Sequence, residues 1–241
     1  MRFAIQARSV CSMLAAIAIA GTLVGCHHSS KAGVSATMSQ AEQQAMTPDQ
    51  ALTRLKEGNE RFVHGTSTHF DYPAQREATS HGQHPFAVVH ACIDSRSAPE
   101  LVFDQGIGDL FVPRVAGNYA TADILGSMEF ATKVAGARLI VVLGHTQCGA
   151  VKGACDDVQL GNLTTVIQAI RPAVEGVTNV PGERDSHNPA FVMAATESNV
   201  RLTVEKIRSD SPILAELERT GQIRIVGAML DIGTGRVTYL N

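Results

Sequence analysis

The sequence is short of positive charge: 20 Lys and Arg face 23 Asp and Glu, for a net charge of −3 over 241 residues. Without a basic surplus the chain offers no electrostatic footprint for nucleic acid, so no nucleic-acid partner is expected. It has no internal repeat, which excludes a solenoid or propeller. The pair Gly106-Ile107-Gly108 lacks the third glycine of a dinucleotide-binding loop and reads as a turn, so no such cofactor is implied. The apolar run from Met13 to Val24 is too short to span a bilayer comfortably. What remains, 44% hydrophobic and 18% charged residues, is an ordinary globular composition sufficient for one domain with a substantial core.

Arg2 and Arg8 followed by that apolar stretch form the pattern of an export signal over residues 1–25. It closes on Leu23-Val24-Gly25-Cys26, which resembles the bacterial lipobox, where the cysteine becomes the lipidated first residue of the mature chain. A simple secretory signal with an incidental Cys26 is the alternative. Lipid at Cys26 anchors the protein to a membrane on its periplasmic side. His27, standing where an aspartate signals inner-membrane retention, points to the outer membrane. Residues 26–46, rich in Ser, Ala and Gln, read as a flexible tether between lipid and domain.

Five cysteines then resolve into roles. Cys11 leaves with the signal and Cys26 carries lipid, so Cys92, Cys148 and Cys155 alone remain in the folded part. That is too few for a disulfide framework. Metal ligation by Cys92 and Cys148, with Cys155 a small buried residue, explains thiols that persist in an oxidising compartment. A Cys148 to Cys155 disulfide is the competing arrangement.

The domain is expected from residue 47 to 241. Thr47-Pro48-Asp49-Gln50 is a helix start with cap, first-position proline and Gln three residues on, opening a helix to about Phe62. Phe86 to Ala91, Leu110 to Val115 and Leu139 to Leu143 are uninterrupted apolar runs, the signature of parallel strands buried on both faces. Helices are predicted over Thr121 to Val134, Leu163 to Val174 and Pro189 to Arg208. Ile223 to Met229 is a further strand, and Arg236 to Leu240 an edge strand after a turn. The fold class is α/β, a central and mostly parallel sheet flanked by helices, with an N-terminal helix and a C-terminal edge strand.

Two clusters follow strand ends, where open α/β sheets place their ligand crevices: Cys92-Ile93-Asp94-Ser95-Arg96 and His145-Thr146-Gln147-Cys148. Two thiolates and an imidazole are the ligand set of a catalytic zinc whose fourth position takes water or a displaceable carboxylate, here Asp94. One Zn²⁺ per chain is expected. Asp94 has two possible partners. On zinc it blocks the water site; paired with Arg96 it leaves the metal open and accepts a hydrogen bond from the nucleophile. A permanently closed, structural zinc is the bland alternative, and a nucleophilic Cys148 activated by His145 the non-metal one. Among the other histidines, His84 and His90 flank the first strand and are explained by packing or local hydrogen bonding.

The segments Ala91-Cys92-Ile93-Asp94-Ser95-Arg96, Phe111-Val112-Pro113-Arg114-Val115-Ala116-Gly117-Asn118, Gly126-Ser127-Met128-Glu129-Phe130-Ala131 and Gly144-His145-Thr146-Gln147-Cys148-Gly149-Ala150, in this order, resemble a β-class carbonic anhydrase from about Thr47 to the C-terminus. The resemblance implies reversible hydration of carbon dioxide to bicarbonate and a proton. It implies zinc on Cys92, His145 and Cys148, an Asp94–Arg96 dyad, and assembly as homodimers or homotetramers. It also assigns substrate contacts: Gln83 to the substrate oxygen, Phe111 to an apolar pocket near the subunit boundary, and the Gly149 amide facing substrate. The chain departs from the family in two places: it has no tryptophan, which some members place in an inhibitory bicarbonate site, and Phe130 replaces a family tyrosine. Hydrolysis of carbon disulfide or carbonyl sulfide is an alternative for such a site. A non-enzymatic zinc lipoprotein is another, although it would need neither Arg96 nor Gln83.

Overall fold

The computed structural model describes residues 33–240. The expected export signal, the lipidation residue Cys26 and the start of the tether lie outside the described residues. Five strands, β1 (Ala87–Ala91), β2 (Leu110–Phe111), β3 (Leu139–His145), β4 (Arg224–Leu230) and β5 (Val237–Leu240), form one sheet in the order β2-β1-β3-β4-β5. The first four run parallel and β5 is antiparallel to β4. Nine α-helices are described: α1 (Gln40–Ala45), α2 (Pro48–Val63), α3 (Tyr72–Ala78), α4 (Pro99–Val102), α5 (Ala122–Glu129), α6 (Gly149–Cys155), α7 (Leu163–Glu175), α8 (Pro189–Asp210) and α9 (Pro212–Arg219). Among the described residues no helix is long and apolar enough to cross a membrane.

Every residue of β1 and β3 is buried, because successive side chains point to opposite faces and helices cover both. Ala87, Val89, Ala91, Leu139, Val141 and Leu143 pack with Leu52 and Leu55 of α2. Val88, Ile140 and Val142 pack on the other face with Met128, Val200, Val204 and Leu214, from α5, α8 and α9. A third cluster, built from α6, α7 and the first turns of α8, reaches Cys92 and Cys148. Helix α8 lies unusually close to the sheet. A Cβ on Gly144 would meet Val200 Cγ2 at 2.5 Å, and one on Gly227 would meet Val200 Cγ1 at 2.8 Å. Two glycines on neighbouring strands thus make the seat for one valine, just before His145.

The start of α2 is the expected capping box: Thr47 N donates to Gln50 Oε1 at 2.8 Å and Gln50 N to Thr47 Oγ1 at 3.2 Å. Asn188 likewise caps α8, accepting from Phe191 N at 3.2 Å. Three expectations are corrected. The strand predicted over Leu110 to Val115 is regular only at Leu110 and Phe111, since Pro113 has no N–H for the ladder; contact with β1 continues through Ala91 N to Pro113 O and Val115 N to Ala91 O, both 3.2 Å. The helix predicted to Val134 changes to π-helical winding over Phe130–Val134. The flexible tether does not extend to Met46. Val34 N donates to His69 O at 2.7 Å, Ser39 caps α1, and the buried Gln43 amide donates to Pro85 O at 2.7 Å and Ala135 O at 2.8 Å. A polar composition read as solvated chain is here a set of donors for loop carbonyls.

Gln43→Ala leaves those two carbonyls without their donor and is expected to destabilise the domain by roughly 1–3 kcal/mol. Urea unfolding measures it; an unchanged midpoint would return residues 33–46 to the status of a loose tether.

Candidate metal centre

Cys92 immediately follows β1 and His145 ends β3, and these strands are adjacent, with Ala91 opposite Leu143. The chain then turns through Gln147, at φ 58°, and returns Cys148 as the N-cap of α6. The ligand atoms of Cys92, His145 and Cys148 consequently lie within 4.8 Å of one another, all three residues being buried.

The surroundings set one imidazole tautomer and favour one of the two thiolates. His145 Nδ1 lies 2.9 Å from Thr146 O; a carbonyl only accepts, so Nδ1 carries the proton and Nε2 presents its lone pair to the cluster. That Nε2 is buried and has no hydrogen-bond partner among the described residues. Cys92 Sγ accepts from Gly117 N at 3.3 Å. Hydrogen bonding from Cys148, partly opposed by burial and aided by His145, lowers the Cys92 thiol to about 4. The Cys92 thiolate and burial push Cys148 up, against the pull of the Val151 and Ala150 amides in the first turn of α6. Burial draws His145 down, but Cys92, Thr146 O and Asp94 outweigh it and raise the imidazole. A pocket that favours positive charge, holding two sulfurs and an orphaned imidazole nitrogen, fits zinc.

Beside the cluster, Arg96 holds Asp94 in a bidentate pair, Nε to Oδ1 at 2.9 Å and Nη2 to Oδ2 at 2.7 Å, and its backbone N–H adds a bond to Oδ1 at 3.0 Å. These bonds hold the Asp94 carboxyl well below the usual carboxylate range, against burial. Its Oδ2 is 3.9 Å from His145 Nε2. Arg114 braces the same loop from behind, donating from Nε to Cys92 O at 2.8 Å and from Nη2 to Asp94 O at 2.7 Å.

The three residues assigned to substrate separate. Gly149 is the first residue of α6, directly after Cys148, and is exposed, with nothing within 4 Å of where its Cβ would be. Gln83 is exposed and precedes β1, whereas Cys92 follows that strand of five residues at its other end. Phe111 pairs with Val88, four residues short of Cys92 or roughly 13 Å away, and its ring meets Phe130 edge-on at 6.2 Å. Gln83 thus lies at the opposite end of β1 from Cys92, and Phe111 on the edge strand beside it. The Cys148 to Cys155 disulfide is also excluded. Both are free, and seven residues of helix separate them by about 10 Å, beyond disulfide reach. Burial instead lifts the Cys155 thiol to about 11.

Several supporting residues escaped the sequence reading. Arg114 and Gly117 lie inside a motif noted only for its family pattern. Gly117 has φ 75°, and a Cβ there would press on Ile170 Cδ1 at 2.4 Å, so glycine is favoured where that amide reaches Cys92. Asn199, donating to Gly117 O at 2.7 Å, carries no local signal. His90 does what packing predicts, its ring nitrogens each 3.1 Å from Pro113 O and Tyr119 O.

A parallel sheet that ends two adjacent strands in a Cys–His–Cys cluster is the architecture of the β-class carbonic anhydrases. The carbonic anhydrase family model matches residues 87–237, and the chain belongs to that family of zinc enzymes, which interconvert carbon dioxide and bicarbonate. It is 38% identical over 198 residues to carbonic anhydrase 2 of Mycobacterium tuberculosis, covering 78% of this chain and 91% of that protein. Identity is also 38% over 191 residues with carbonic anhydrase of Mycolicibacterium smegmatis, with 79% and 92% covered. Among solved structures, the β-carbonic anhydrase CcaA matches with a TM-score of 0.61 at 27% identity, over 79% of this chain and 95% of that one. Tetrameric β-carbonic anhydrases of Sordaria macrospora share the fold at a TM-score of 0.61 and 22% identity, over 79% and 95%.

Arg114→Ala removes the brace on the Cys92 and Asp94 carbonyls without touching a ligand. Zinc affinity, measured by competition with a chromogenic chelator, is expected to fall about 10–100-fold with the helical spectrum retained. Undiminished affinity would show that the loop holds its shape unaided.

Proposed function

We propose that this chain hydrates carbon dioxide reversibly using one zinc ion per chain on Cys92, His145 and Cys148, with Asp94 and Arg96 as the dyad that orients the nucleophile and gates the metal. The observation that carries this is the position of Asp94: held on two edges by Arg96, yet 3.9 Å from His145 Nε2. Zinc there supplies a Lewis acid that lowers the pKa of water and makes hydroxide available. Ionised through its pair with Arg96, Asp94 can only accept a hydrogen bond, so it turns the O–H of the nucleophile toward itself and a lone pair toward carbon. Released from Arg96, the same carboxylate would be free to join Cys92, His145 and Cys148 in holding zinc, which would close the site to water. The Gly149 amide offers a donor to the oxygen on which charge develops.

The assignments of Gln83 and Phe111 fit this reading when they come from a second copy. Gln83 is exposed at the far end of β1, Phe111 lies on the edge strand β2, and Phe130 beside it is 55% exposed. A homodimer or homotetramer is therefore part of the proposal. So is location: Arg2, Arg8, the apolar stretch and the Cys26 motif support an exported lipoprotein, periplasm-facing and held in the outer membrane.

Stopped-flow hydration of carbon dioxide, with zinc assayed in the same sample, tests the function. Thiolates donate more charge than imidazoles and set the ionisation of water above neutrality, so activity is expected to rise toward alkaline pH at about one zinc per chain. Full zinc without hydration at any pH would sink the proposal. Asp94→Ala and Arg96→Ala are each expected to lower kcat/KM by roughly a hundredfold with zinc retained. Unchanged turnover in both removes the dyad from the mechanism.

A further inference from the structure

Behind the dyad lies a cavity of about 240 Å³ between α2 and the β4–β5 turn, lined by Phe62, Val102, Thr234 and two charged side chains, Arg96 and Asp231. Among the described residues they are the only charged side chains in its lining. Asp231 directly follows Leu230, the residue of β4 that pairs with His145, so its backbone is fixed relative to the metal ligands. Its carboxylate is ordered by the turn, Oδ1 accepting from Thr234 N at 2.7 Å and Thr234 Oγ1 at 2.9 Å. Arg96, with half its side chain exposed, gives Asp94 one hydrogen from Nε and one from Nη2, which leaves three of the five guanidinium hydrogens.

We infer that Asp231 is a positioning residue for Arg96: a second carboxylate to which the guanidinium turns when Asp94 leaves it. The inference rests on the reading that Asp94 and Arg96 gate the metal. Closing the site takes Asp94 away from Arg96. That step would leave an arginine that has lost its bidentate carboxylate, and without another carboxylate to take it the closed arrangement would be disfavoured. Asp231 supplies the missing partner across the shared cavity. It therefore stabilises the closed arrangement and competes with Asp94 for the same cation, so the balance between open and closed metal is set by two carboxylates.

The test uses the full chain substituted with cobalt(II), whose visible spectrum distinguishes carboxylate from water in the fourth position, at one mildly acidic pH where both arrangements are populated. Asp231→Asn keeps Oδ1 for the turn and removes the charge. It is expected to shift the spectrum toward the open form and to raise kcat/KM of the zinc enzyme at that pH about two- to fivefold, the size of one solvent-exposed ion pair. Thr234→Ala, which weakens the same turn without altering the carboxylate's charge, is expected to leave both unchanged. A wild-type spectrum in Asp231→Asn, beside an altered one in Arg96→Ala, would overturn the inference and leave the dyad standing. Equal shifts in Asp231→Asn and Thr234→Ala would overturn it in favour of turn geometry. If Arg96→Ala changes neither spectrum nor turnover, the gate itself falls.

Discussion

The metal cluster depends on two parallel strands ending side by side. Ala91 of β1 is opposite Leu143 of β3, so the chain can put a thiol one residue past one strand and an imidazole at the tip of the next without bending either backbone. Parallel pairing makes that possible because both strands leave the sheet at the same edge. The cost is that each must be buried on both faces. The uninterrupted apolar runs and the two layers of helices follow from that requirement. Only then does the third ligand need explaining, and a three-residue turn through a left-handed Gln147 supplies it at the head of α6.

A cluster of two sulfurs and one imidazole has to be made anionic inside a hydrophobic core, and backbone dipoles contribute to that alongside the side chains of the cluster itself. The Gly117 amide serves Cys92, the first-turn amides of α6 serve Cys148, and the Thr146 carbonyl fixes the His145 tautomer. The one guanidinium behind the cluster, Arg114, spends its hydrogen bonds on carbonyls of the ligand loop. Fixed dipoles of this kind are already aligned before metal or substrate arrives, so little reorganisation remains at the moment of reaction. Asp94 is the exception, since its partner Arg96 reaches solvent and can move.

Much of this was legible in the sequence, and the parts that were not share a cause. The strands and the ligand trio could be read because apolar runs and metal-ligand chemistry are local patterns. Strand β2 was overextended because the run Leu110 to Val115 hides a proline whose missing N–H matters only against a partner strand. The tether was misread because nothing in Ser39 to Met46 reveals that Gln43 finds Pro85 and Ala135. The roles of Gln83 and Phe111 rest on the resemblance, because no local pattern around either residue signals a substrate contact. Asn199 is the clearest limit: its target, Gly117, is 82 residues away in sequence, and only the packing of α8 joins them.

That packing has a thermodynamic side. Adjacent residues of α8 touch both halves of the metal centre, Asn199 at the loop that holds Cys92 and Val200 at the glycine before His145. Any opening of α8 that frees these two contacts loosens a thiolate and an imidazole together. By linkage, an ion bound between them must strengthen α8 by the same free energy. Protection of the amides along that helix and affinity for the metal are then coupled, through a helix that contributes no ligand.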